Sequence, residues 1–191
     1  MNARILLLMG PTGAGKSTLV RALQARDHRF QYVAPVTTRE LRPGETDRVS
    51  VSETELRRLW HSGGLLAVND LFSTKYGTPR APILRAFDQG MFPIIEWPIA
   101  RLSVMAEAFP RMLFRVYVRP PSVGHIAERL MGRNNYAQRL AAAQDELARL
   151  EACQYDDGID LLVTSGEGEV ADCAKAIHEE YLRITHNTGP V

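Results

Sequence analysis

Residues 10–18, Gly-Pro-Thr-Gly-Ala-Gly-Lys-Ser-Thr, contain the residue types that can hold a chain of phosphates. Gly10, Gly15, Lys16 and Ser17 fit the spacing G-x-x-x-x-G-K-[ST] without a mismatch. Glycines let successive backbone N–H groups curl around phosphate oxygens, and a helix starting after Lys16 adds the positive end of its dipole. Lys16 is expected to reach the β- and γ-phosphates, and the Ser17 hydroxyl to serve Mg²⁺. Thr12, Gly13, Ala14 and Thr18 complete the predicted phosphate cradle. The expected cofactors are therefore ATP and Mg²⁺. The loop alone does not separate a kinase from a hydrolase. No Asn-Lys-x-Asp-like base reader of a GTPase is present, and the small chain favours a kinase of small molecules.

The elements that must position this loop follow from the hydropathy pattern. The loop follows the apolar run Ile5–Met9, which is too short for a signal core and reads as a buried strand. Further strands are expected over 32–36, 65–69, 92–97, 113–118 and 158–164. Helices are expected after Lys16 and over 52–61, 79–89, 99–108, 122–131, 136–152 and 168–184. Ser52-Glu-Thr-Glu55 has the cap-then-acid order of a helix start. Alternation of this kind predicts one α/β domain with a parallel sheet flanked by helices, and a turn-rich insertion over 35–80. The tail from Thr185 is expected to fray.

Bulk properties exclude little. The chain has 191 residues, 45% of them hydrophobic, and a net charge of +1. That is enough for one well-cored domain, and it suggests neither a nucleic-acid nor a membrane partner. The lysines are Lys16, Lys75 and Lys175; every other basic side chain is arginine, a bias read mainly as genomic base composition. Cys153 and Cys173 are expected to be two buried thiols in a reducing cytoplasm. His28, His61, His125, His178 and His186 show no metal-ligand spacing.

The chain resembles guanylate kinases over nearly its whole length. The likeness begins with TTRELRPGE (37–45) and continues through SVSETEL (50–56) and LLAVNDLFSTKYGT (65–78). RVYVRPPSVGHIAERLMGR (115–133) and QRLAAAQDELARLE (138–151) follow in order. The resemblance implies a P-loop NTPase fold in three parts. These are a core (1–34, 81–130 and 141–185), an acceptor-binding region (35–80) and a short lid (131–140). It implies that Arg39 and Arg42 clamp the acceptor's phosphate, with Tyr76 and Thr78 of KYGT beside them. Two guanidiniums and a phenol suit a dianion held in line with the γ-phosphate. Glu96 falls at the Mg²⁺-linked acidic position. Arg133 and Arg139 match the arginines that embrace the ATP phosphates and the transferred group. Arg129, beside Glu128, reads instead as a helix-surface arginine paired with that acid.

Departures from the family pattern gather in the base-reading pocket. Ala67 and Pro98 stand where guanine-reading acids are expected, Pro35 or Val36 replaces a serine, and Arg48 replaces a phosphate-binding tyrosine. The lid between Arg133 and Arg139 is shorter by several residues. A hydrogen bond to a charged partner is worth ~1.5–3 kcal/mol, so two lost carboxylates remove about 3–6 kcal/mol of guanine recognition. The expected acceptor is thus a small molecule read by its phosphates, such as ribose 1,5-bisphosphate. The short spacing into Ser-x-x-Glu also resembles the ribose 1,5-bisphosphate phosphokinases, whereas GKST and EWPIAR depart from them. The alternative is a genuine GMP kinase. A non-catalytic guanylate-kinase-like binding module is disfavoured by the intact Lys16 and Ser17. Trp60 and Trp97 read as packing residues, with Trp97 also placed to line the acceptor pocket.

Overall fold

The computed structural model describes residues 3–41, 44–166 and 168–186. Arg42 lies outside the described residues. A five-stranded parallel sheet runs in the order β2-β7-β1-β8-β9. Its strands are β1 (Ile5–Met9), β2 (Phe30–Tyr32), β7 (Phe92–Glu96), β8 (Leu113–Arg119) and β9 (Leu161–Thr164). Every residue of β1 is fully buried, as an apolar run covered on both faces must be. Ile5, Leu7 and Met9 feed one core cluster, while Leu6 and Leu8 feed the other. This period-2 division follows from alternating side-chain direction along a strand.

The helices are α1 (Lys16–Arg26), α2 (Glu53–His61), α3 (Arg80–Asp88), α4 (Leu102–Ala108), α5 (Val123–Leu130), α6 (Tyr136–Glu151) and α7 (Val170–His186). Ser52 caps α2 by accepting from the Glu55 N–H (3.1 Å). Helix α7 locks onto the main sheet through Tyr181, whose hydroxyl donates to the Arg4 carbonyl (2.6 Å) and accepts from the Arg4 N–H (3.0 Å). Asp27, at the end of α1, receives a bidentate hydrogen bond from Arg29 and lies 3.0 Å from His178 Nε2 of α7.

A second sheet, β4-β3-β6-β5, is built from β3 (Val36–Thr37), β4 (Val49–Ser50), β5 (Leu65–Leu71) and β6 (Thr74–Pro79). Its small core holds Val36, Leu56 and Leu65. Gly77 is required here, because an added Cβ would lie 2.7 Å from Leu65 Cδ1 and 2.8 Å from Val36 Cγ2.

Several expectations need correction. The predicted strand 32–36 is two strands in two sheets. The Val33 N–H still donates to Ile94 of the parallel sheet, but Val36 pairs with Gly77 of the second. The expected helix 99–108 opens with a 3₁₀ turn at Ile99–Arg101. Of the tail expected to fray, residues 187–191 lie outside the described residues, whereas Thr185 is buried in α7 and its hydroxyl donates to the Tyr181 carbonyl (2.9 Å). Cys173 is buried but Cys153 is exposed, in a left-handed turn just after α6. Trp97 is only 2% exposed and packs in the core, whereas Trp60 is 47% exposed. Among the described residues, no helix is long and apolar enough to cross a membrane.

Candidate active site

The phosphate loop connects the buried end of β1 to the first turn of α1. Gly10 and Gly15 adopt φ of 130° and 92°, and a Cβ at Gly10 would collide with the Val118 carbonyl of β8. Glycine is thus needed for the tight exit from the strand. Lys16 folds back over the loop, its Nζ donating to the carbonyls of Gly10 (2.7 Å) and Pro11 (2.9 Å). Burial holds the Lys16 pKa below its ordinary value, opposed by the carboxylates of Glu96 and Glu146. Those two acids favour the charged ammonium that a phosphate ligand needs. Thr18 is exposed, and its N–H donates to the Gly15 carbonyl (3.0 Å).

Glu96 ends β7, next to β1 in the sheet. The Ser17 hydroxyl donates to its Oε1 (2.7 Å). Two hard oxygens at the rim of a phosphate loop suit Mg²⁺, which is commonly held by one or two protein oxygens plus substrate phosphates and water. No group of three or more His, Cys, Asp or Glu side chains that could hold a metal occurs among the described residues.

Arg48, directly before β4 of the second sheet, approaches the same carboxylate. Arg48 Nη2 lies 3.6 Å from Glu96 Oε2, and its Nε lies 3.2 Å from Glu45 Oε1. The Arg48 guanidinium also stands over the Tyr76 ring, 5.6 Å from its centre. Arg39 grips Glu45 with both terminal nitrogens (2.7 and 2.5 Å). The Glu45 carboxylate holds the Arg39 pKa above its ordinary value. Arg39 Nε, Arg48 Nε and the Tyr32 hydroxyl are buried without an aligned hydrogen-bond partner. Buried polar atoms of this kind call for a ligand or water. Thr78 is buried on β6 directly opposite Ala67 of β5.

The structure places Arg139 near the loop, with Nη1 3.5 Å from Thr12 Oγ1 and Nε donating to the Asn134 carbonyl (3.0 Å). Arg133, just after α5, is half-buried, and its N–H donates to the Leu130 carbonyl (2.9 Å). Two residues were missed by the sequence reading. Arg129 does not serve as a surface partner of Glu128; its Nη1 donates to the Gly13 carbonyl of the phosphate loop (3.2 Å). Glu146 of α6 accepts from the Tyr117 hydroxyl (2.9 Å), and burial pushes its pKa up while Lys16 pulls it down. Besides Thr78, Asn69 stands two residues from Ala67 on β5, and the Arg101 N–H donates to the Pro98 carbonyl (3.0 Å). Arg101 Nη1 donates to the Val68 carbonyl (2.7 Å) and to Asn69 Oδ1 (2.6 Å).

A parallel sheet whose first strand runs through this glycine loop into a helix defines a P-loop NTPase fold. The fold is shared with a solved guanylate kinase from Anaplasma phagocytophilum, at a TM-score of 0.76 over 97% of this chain and 88% of that one, with 22% identity. The family model described as guanylate kinase matches residues 2–179. The guanylate kinase of Granulibacter bethesdensis is 34% identical over 157 residues, covering 78% of this chain and 74% of that protein. The guanylate kinase of Gluconobacter oxydans is 37% identical over 153 residues, covering 75% and 73%, and that of Rhodospirillum rubrum 31% identical over 189 residues, covering 97% and 87%. The chain belongs to the guanylate kinase family, and it is a kinase of the guanylate kinase type.

Proposed function

We propose that the protein transfers the γ-phosphate of Mg-ATP to GMP, giving ADP and GDP. The observation that carries phosphoryl transfer is the meeting of two phosphate grips at Glu96. Ser17 of the donor loop reaches one carboxylate oxygen (2.7 Å) and Arg48 of the second sheet approaches the other (3.6 Å). GMP is the acceptor supported by the relatives, each named a guanylate kinase. In this reading Lys16 and the loop N–H groups bind the donor phosphates. Arg39, Arg42, Arg48 and Tyr76 receive the acceptor's phosphate, with Thr78 beside them. Ser17 and Glu96 would hold Mg²⁺, which when bound neutralises charge building on the transferring group. Arg133 and Arg139 close over the donor from the lid at 131–140, adding cations where charge spreads in the transition state. The residues around the two phosphates do little covalent chemistry; their work is alignment and charge. This reading puts the reaction in the cytoplasm, a reducing compartment that suits free thiols such as Cys153 and Cys173.

A second reading rests on Ala67 and Pro98, apolar side chains where the family's guanine-reading acids are expected. It keeps the reaction and replaces GMP by an acceptor read through its phosphates, such as ribose 1,5-bisphosphate. One experiment separates the two: ADP release from Mg-ATP with GMP, AMP, ribose 5-phosphate and ribose 1,5-bisphosphate. Saturable turnover with GMP at micromolar KM supports the first reading. Turnover confined to a sugar phosphate supports the second, and no turnover with any acceptor contradicts both.

A further inference from the structure

The β5–β6 hairpin ends in a two-residue turn at Phe72 and Ser73, with φ of 55° and 60°. Asn-Gly is the usual occupant of such a mirror-image turn. A bulky aromatic in the left-handed region is a rare choice, and such outliers persist where surrounding contacts hold them. Here the contacts come from the start of α6 and the residue that caps it. The Arg139 guanidinium lies over the Phe72 ring, 4.3 Å from its centre. The Phe72 carbonyl accepts from Asn135 Nδ2 (3.1 Å). Arg139 also directs Nη1 toward Thr12 Oγ1 (3.5 Å) and Nε to the Asn134 carbonyl (3.0 Å). One guanidinium therefore joins the phosphate loop, the lid and the hairpin tip.

We propose that Phe72 is a positioning residue for Arg139, its ring holding the guanidinium plane beside the phosphate loop. The inference rests on Arg139 serving the donor phosphates, as in the reading above. An arginine carries large rotamer freedom, and a planar stacking surface removes much of it before the ligand arrives. Leucine offers bulk without a π-face, whereas tryptophan offers a better one. The ring therefore acts through Arg139 and need not touch a substrate. The hairpin tip of the acceptor region thereby sets where the lid arginine meets the donor.

The test is the affinity for Mg-AMP-PNP by calorimetry, a readout that does not depend on which acceptor is used. Phe72→Leu and Arg139→Ala should each weaken binding by about threefold to tenfold. The double variant should be no weaker than the poorer single variant, and Phe72→Trp should stay within about twofold of the parent. Arg139→Lys, which keeps the charge but lacks the planar face, should resemble Phe72→Leu and serves if that variant does not fold. Parent-like affinity in Phe72→Leu or Arg139→Lys, fully additive losses, or no loss in Arg139→Ala would each overturn the proposal. Failure of GMP turnover alone would count against the acceptor reading and leave these affinities to decide on Phe72.

Discussion

Lys16 donates to two loop carbonyls and lies within the field of Glu96 and Glu146. Lys16→Ala is expected to lower kcat by at least about 10²–10³-fold, the scale for losing a preorganised charge contact, with the melting temperature little changed. Steady-state kinetics beside thermal denaturation checks this. Arg48 faces Glu45 and Glu96. Arg48→Gln should raise the acceptor KM about tenfold, the effect of one charged hydrogen bond, while the ATP KM moves less than twofold. Equal changes in both KM values would contradict its place on the acceptor side. At this scale the donor loop was fully legible, because its chemistry lies in eight consecutive residues. Arg129 was misread although the sequence held the signal. Adjacent residues on a helix do not face each other, so Glu128 was a poor partner from the start. Glu146 was legible too, as an acid three residues from Ala143 and four from Leu150 on the buried stripe of α6.

Asp27 ties three elements together: the end of α1, the entry to β2 through Arg29, and α7 through His178. The Arg29 guanidinium, helped by the His178 hydrogen bond, holds the Asp27 carboxyl well below the usual carboxylate range. A carboxylate with a depressed folded pKa stabilises above its unfolded value of ~4 and loses that contribution as pH falls further. Asp27→Asn should therefore lower the melting temperature at pH 7 by roughly 3–10 °C. The gap to the parent should shrink as pH drops below about 4; a gap that stays constant from pH 7 to pH 2 would contradict the assignment. Long elements such as β1, α6 and α7 were legible from periodicity. The two-residue strands β3 and β4 were not, since strands so short have no period to read and are defined by partners distant in sequence. The β6 strand was missed because its residues fell in the stretch read as a turn-rich insertion, with a helix expected from 79; Gly77 instead packs closely against Val36 and Leu65.

Across the whole molecule, the parallel sheet carries the phosphate loop, Arg48 directly precedes β4 of the second sheet, and Ser17 and Arg48 both approach Glu96. The alternation of strands and helices announced the first sheet, and the family resemblance announced the P-loop NTPase fold. The surroundings of Ala67 and Pro98 were less legible, because Arg101 and Asn69 come from a 3₁₀ turn and a strand that meet only after folding. The most direct test is product analysis by phosphorus NMR of the protein with Mg-ATP and GMP, alongside Lys16→Ala. GDP and ADP are expected in equal amounts with the parent protein and neither with the variant. ATP left unchanged, or ADP formed without GDP, would contradict transfer to GMP.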